Sequence, residues 1–155
     1  MLIQRPLYVK KSLIHGYGVF AKEQIKQGDT IEECYALFLK EEQSSLGNYV
    51  FNANNQSALL TGFGAIYNHA DHSNASYTFD EQKQCMVFTA RRFIHKDEEI
   101  LISYGKDWFS SRHAVSKTLS LTQKSWVFLS GLPFRLAVIG SSLILFTETL
   151  RALTA

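Results

Sequence analysis

The sequence predicts a mostly β fold with few short helices, and three observations carry that expectation. Short runs rich in β-branched and aromatic residues recur along residues 7–105, each closed by Gly, Asn, Asp or a charged turn. No long apolar stretch with a helical period appears before residue 110, which argues against a parallel α/β architecture. At 155 residues, with eleven Phe and seven Tyr, the chain is long enough to bury a true core and carry an appendage.

Leu7-Tyr8-Val9-Lys10-Lys11-Ser12 reads as a short strand with a basic end. His15-Gly16-Tyr17-Gly18-Val19-Phe20-Ala21 sets two glycines around an aromatic and then continues as an apolar strand. Those glycines suit either a hairpin turn or a close backbone approach to a ligand, and they lack the third glycine and following helix of a dinucleotide site. Gln27-Gly28-Asp29-Thr30 is a turn before a strand from Ile31 to Phe38. Lys40 to Leu46 is polar and reads as a brief helix or an exposed loop. Asn48-Tyr49-Val50-Phe51 returns to β-type residues, and Asn54-Asn55-Gln56 makes a loop. Ser76 to Phe79 and Cys85 to Ala90 read as a hairpin across Asp80 to Gln84. Lys96-Asp97-Glu98-Glu99 is a charged turn before Ile100-Leu101-Ile102-Ser103-Tyr104-Gly105.

The densest polar cluster ends the apolar run Gly62 to Tyr67: Asn68, His69, Asp71, His72 and Asn74 all carry hydrogen-bonding groups. Buried polar groups must find partners, so this segment either binds something polar or stitches the fold; alone, it also reads as a strand and an Asx-rich turn. Net charge is +2, too small to argue for direct nucleic-acid binding. The charge is uneven: residues 1–104 hold ten Lys/Arg against twelve Asp/Glu, and residues 105–155 hold six against two. Cys34 and Cys85 form no metal-ligand pattern and suggest reduced buried thiols, with one disulfide left open. The N-terminus lacks the apolar core of a signal peptide, so a cytosolic-type fold is the expectation.

Three pieces, His15 to Phe20, Asn68-His69 with Asn74, and Glu98 to Gly105, together resemble the SET domain of protein-lysine methyltransferases. The likeness runs from about Tyr8 to Arg112, and it is close to the minimal SET enzymes of large algal DNA viruses, which methylate a lysine in the histone H3 tail. It implies a β-clip fold closed by a C-terminal pseudoknot. A SET domain is therefore expected over 7–112, a Ser-, Thr- and Lys-rich linker over 113–125, and a hydrophobic tail over 126–155. The departures are specific. The usual Asn-His-Ser-x-x-Pro-Asn is here Asn68-His69-Ala70-Asp71-His72-Ser73-Asn74, Ser103 replaces the usual acidic residue, and flanking zinc-binding cysteines are absent. Trp108 and Phe109 are then the candidates to close the cofactor side. The resemblance also argues against reading His69, Asp71 and His72 as a metal site.

The resemblance implies that Gly16, Tyr17, Gly18, Asn68 and His69, with Phe109, bind S-adenosylmethionine. Asn74 would fix the threaded pseudoknot. Tyr104 would stand at the methyl-transfer point, with Tyr17 and Tyr49 lining the lysine channel. Tyr77 and Ile102 would border the lysine amine and set how many methyl groups are added. Apolar Ile102 leaves room for a methylated amine to turn and react again, so at least dimethylation is expected. The expected substrate is a lysine in a basic, extended, histone-like tail. The alternative is a SET fold that binds peptide or cofactor without turnover.

Trp126 to Thr147 reaches transmembrane length, but Arg135, Pro133, Gly131, Gly140 and the serines offset its twelve Val, Leu, Ile and Phe residues. A helix from about Pro133 would place Leu136, Ile139, Leu143, Phe146, Leu150 and Leu153 on one stripe. That stripe could pack on the domain, on a partner chain as a homodimer, or on a membrane surface through 126–150. Location is left between the cytosol, a host nucleus for a viral-type or effector enzyme, and a membrane tether.

Overall fold

In the computed structural model, the residues described are 2–40 and 46–113, together with the backbone of 136–139 and 142–145. Two antiparallel strands, β1 (Leu7–Lys11) and β2 (Tyr17–Ala21), pair from Leu7 with Ala21 to Lys11 with Tyr17. The hairpin is closed where the Ser12 N–H donates to the Gly16 carbonyl, with Gly16 at φ +50°. Five antiparallel strands form the main sheet in the order β4-β5-β3-β8-β7: β3 (Thr30–Phe38), β4 (Val50–Ala53), β5 (Gln56–Leu60), β7 (Ala75–Asp80) and β8 (Cys85–Ala90). Residues 41–45 of the stretch read as a brief helix or loop lie outside the described residues.

Turn chemistry sets the registers. Asn54 and Asn55 both take positive φ, and Asn55 N–H bonds back to Asn52 Oδ1, which suits the two-residue connection of β4 to β5. Asp80 Oδ1 accepts from Gln82 and Lys83 N–H, and so caps the β7–β8 turn foreseen across Asp80 to Gln84. A third sheet crosses over: β6 (Asn68–His69) pairs in parallel with β9 (Leu101–Ile102), placing Asn68 beside Leu101 and His69 beside Ile102. One 3-10 turn (Gly64–Ile66) precedes β6, and a single-turn helix, α1 (Trp108–Ser111), follows β9.

The core gathers Ile25, Ile31, Cys34, Leu60, Met86, Phe88, Ile94, Ile100 and Ile102 with the ring of Tyr67. Phe88 lies 4.7 Å from Tyr67 and 5.9 Å from Tyr77, centroid to centroid, so one aromatic cluster runs from core to site. Cys34 and Cys85 are both buried free thiols. Burial, with the Glu32 carboxylate nearby, pushes the Cys34 thiol well up, which makes it inert.

The chain divides into two units, Met1–Leu119 and Ser120–Ala155. In the second, Leu136–Ile139 (β10) and Ser142–Leu145 (β11) form an antiparallel pair with Ile139 opposite Ser142. This corrects the helix read from Pro133 for those residues. The β-branched Val138, Ile139 and Ile144 favour strands, and the Gly140-Ser141 pair between them is of turn-forming type. The rest of the expected helix and most of the 113–125 linker lie outside the described residues. Among the described residues no helix is long and apolar enough to cross a membrane.

Candidate active site

Asn68 is held at the β6–β9 crossing, where its amide is almost fully buried. Its Nδ2 donates to the backbone carbonyls of His15 and Tyr17, each at 3.1 Å, and to Glu99 Oε1 at 2.9 Å. The side chain thus clamps the glycine turn from behind. The two glycines have different reasons. Gly16 sits in the left-handed region with open space where a Cβ would stand. Gly18 has no such room, because a Cβ there would run into the Glu99 carboxylate and sit 3.1 Å from Asn68 Nδ2.

His69 bridges to the C-terminal motif. Its Nδ1 accepts the Tyr104 N–H at 3.1 Å, which leaves Nε2 as the protonated nitrogen facing Asp71 Oδ1 at 3.1 Å. The imidazole packs 4.8 Å from the Phe109 ring and 5.3 Å from Tyr104. Asn74, fully buried, locks the same crossing. Its Nδ2 donates to the Glu99 carbonyl at 2.8 Å, and its Oδ1 accepts the Leu101 N–H at 2.7 Å.

Tyr104 donates its hydroxyl proton to the Tyr67 carbonyl at 2.7 Å. Burial first, then the charge of Glu99, pushes this phenol up to about 12, so it is neutral at physiological pH. Tyr67 is itself anchored by donating its hydroxyl to Glu32 Oε2 at 2.9 Å. Glu32 is 1% exposed, and its Oε1 also accepts from Gln4 Nε2 and the Phe63 N–H. This buried carboxylate therefore fixes the turn that holds the Tyr104 hydroxyl.

Tyr104 also faces a cavity of about 430 Å³, whose walls include Tyr49, Phe51, Tyr67, Tyr77 and Trp108. Phe51 meets Tyr77 edge-on at 5.2 Å, and burial raises the Tyr77 phenol. Arg112 closes one rim, stacking 4.7 Å from the Trp108 ring and donating to the Gly47 carbonyl and Asn48 Oδ1.

Tyr49, Tyr77 and Tyr104 thus line one cavity, while Asn68 clamps the glycine turn of Gly16 and Gly18 and His69 joins Tyr104 to Phe109. Two expected channel residues do not line the cavity. Tyr17 is 60% exposed and touches the site through its carbonyl, because the strand pairing of β2 turns the ring outward. Ile102 is fully buried in the core, since β-alternation places it on the inner face of β9. Trp108 and Phe109 also part: Trp108 lines the cavity while Phe109 meets His69. The sequence reading missed Glu32 and Glu99. Glu32 sits within the strand read from Ile31 to Phe38 and Glu99 ends a charged turn, and only the residue after each acidic pair, Cys34 or Ile100, hinted at burial.

Residues 16–105 match the family model of the SET domain. A Schizosaccharomyces pombe protein named histone-lysine N-methyltransferase, H3 lysine-37 specific, is 30% identical across 80% of this chain and 90% of its own length. Human histone-lysine N-methyltransferase 2D is 27% identical across 70% of this chain, which spans 2% of that protein. The crystal structure of a putative histone methyltransferase of Plasmodium falciparum matches with a TM-score of 0.61 and 36% identity, covering 69% of this chain and 99% of that one. The chain belongs to the SET-domain family of protein-lysine methyltransferases.

Proposed function

We propose that this enzyme transfers methyl groups from S-adenosylmethionine to a lysine in a basic, histone-like tail. The observation that carries the reading is the position of Tyr104. Its ring lines the aromatic cavity and packs on His69 and Phe109, while Asn68, next to His69 in sequence, clamps the glycine turn. The groups around the glycine turn fit the cofactor: Asn68 Oδ1 makes no hydrogen bond among the described residues and can accept from an ammonium group. The open space at Gly16 leaves backbone within reach, and the rings of His69 and Phe109 offer flat apolar surface.

When bound, the cofactor supplies an electrophilic methyl group on a sulfonium. The protein's part is alignment and desolvation. Tyr49, Tyr77, Phe51 and Trp108 would strip water from an entering lysine stem and leave the amine beside the Tyr104 oxygen. A lysine amine has an ordinary pKa near 10.4 and must arrive neutral; the apolar walls lower that value. Tyr104 keeps its own proton at neutral pH and offers no phenolate to act as base, so the lysine proton leaves to water. With its own proton on Tyr67, the Tyr104 oxygen accepts from the amine and turns its lone pair toward the methyl group. β4 is an edge strand of the main sheet and contributes Val50, Phe51 and Asn52 to the cavity wall, which suits docking of a tail as an added strand. The test is transfer of labelled methyl from S-adenosylmethionine to purified histones and to a mixed lysate. Label on histone H3 lysine supports the reading. Cofactor binding with no transfer to any protein would favour a non-catalytic binding module.

A further inference from the structure

Four buried or half-buried carboxylates stand near the glycine turn, the sheet and the pseudoknot, and three have clear structural employment. Glu33 pairs with Lys83 at 2.7 Å, Glu98 with Arg92 at 2.6 Å, and Glu32 holds Gln4, Phe63 and Tyr67. Glu99 differs. It is 7% exposed, and among the described residues no cation lies within ion-pairing distance of it. Lys10 acts on it only from farther off, with its ammonium set 4.1 Å over the Phe20 ring. An anion in this position is costly, and burial accordingly raises the Glu99 carboxyl above its ordinary range.

Geometry alone does not require that charge. Glu99 Oε1 accepts from Asn68 Nδ2 at 2.9 Å, and Oε2 accepts from Ser12 Oγ at 3.0 Å. A neutral amide of the same shape could accept from Asn68 through its oxygen and donate to Ser12 Oγ through its nitrogen. What the carboxylate adds is a negative charge in low dielectric, directly behind Gly18 and Asn68, where a field reaches well beyond contact distance. Among the described residues only the distant Lys10 offsets it, and the glycine turn beside it is where the proposed cofactor would sit.

We propose that Glu99 is the counter-charge of the cofactor pocket, a buried anion that makes the site prefer a cationic sulfonium ligand over its neutral thioether product. This rests on the S-adenosylmethionine reading. S-adenosylmethionine carries one positive charge more than S-adenosylhomocysteine and is otherwise nearly the same shape. Preference for the charged form would speed product exchange, because the spent cofactor loses the attraction that held its precursor.

The experiment is calorimetric titration of the full chain with each ligand at pH 8 and low salt. Wild-type protein binding neither ligand would overturn the cofactor reading itself. Given wild-type binding, Glu99→Gln is expected to weaken S-adenosylmethionine about tenfold or more, equivalent to about 1.4 kcal/mol, and S-adenosylhomocysteine less than about threefold. Equal loss for both ligands, or no loss, refutes the counter-charge. If Glu99→Gln does not fold, Lys10→Met reads the same field with opposite sign. Removing that exposed cation should raise the preference for S-adenosylmethionine about threefold, and an unchanged or lower preference refutes the proposal.

Discussion

Replacing Tyr104 with Phe removes one oxygen and leaves the ring contacts to His69, Trp108 and Phe109 in place. The structural loss is a single hydrogen bond, hydroxyl to Tyr67 carbonyl at 2.7 Å. A neutral bond of this kind contributes about 1 kcal/mol net. For a domain of this size the melting temperature should fall by roughly 4 °C, and the urea midpoint should move without a change in slope. The catalytic loss should be larger in kind. If the oxygen orients the amine, kcat falls at least about tenfold, or about 1.4 kcal/mol of barrier, while cofactor affinity measured by calorimetry stays close to wild type.

The pH dependence separates this role from proton abstraction. Tyr104 is raised to about 12, above its unfolded value, so its contribution to stability is complete below about pH 10 and is lost as pH rises through about 12. Between pH 7 and 10 the rate should climb as the substrate lysine deprotonates, with the same profile in wild type and in Tyr104→Phe. Wild-type kcat in the variant would remove Tyr104 from the chemistry. A profile that flattens only in the variant would show that Tyr104 itself titrates, against the neutrality argued from its burial.

Asn68→Ala removes three hydrogen bonds that clamp the glycine turn, and S-adenosylmethionine affinity should fall at least about tenfold with the domain still folded by circular dichroism; unchanged affinity sinks the pocket assignment. Gly18→Ala should lower stability more than Gly16→Ala, because only the first drives a Cβ into Glu99 and Asn68; the reverse order in urea melts would contradict the packing. Residues 1–104 carry two more acidic than basic groups, so turnover on a basic peptide should exceed that on an acidic one and decline with added salt; equal rates at low salt count against a basic tail. Tyr77 borders the cavity whereas Ile102 does not, so Tyr77→Phe should shift products toward higher methylation by mass spectrometry, and an unchanged mixture would free the Tyr77 hydroxyl of that role.

The strands were legible because their signals are local. Asn54-Asn55 and Asp80 to Gln84 announce hairpins through their own turn chemistry, and β3 and β8 read as apolar runs between such turns. The tail misled because its apolar residues satisfy a helical stripe and a strand pairing equally well, and only the Gly140-Ser141 interruption argued for the second. Tyr104, Asn68 and His69 were found through ordered motifs, not through any local property. The resemblance places Tyr17 and Ile102 at the channel, but the strands carrying them leave the Tyr17 ring exposed and bury Ile102 in the core.

Glu32 and Glu99 were beyond local reading for a further reason. Each is buried by partners that are 28 to 35 residues away for Glu32 and 31 and 87 away for Glu99, so no window of sequence contains the cause of its burial. They also join catalysis to folding. Glu32 holds Tyr67, Tyr67 holds the Tyr104 hydroxyl, and Glu99 holds Asn68 behind the glycine turn. In a crossing pinned by Asn74, the groups that would orient cofactor and amine are also the groups that satisfy the buried backbone. A substitution at either carboxylate therefore perturbs the site and the core together. Only variants that preserve shape and hydrogen bonds while changing one charge or one hydroxyl can tell the two effects apart.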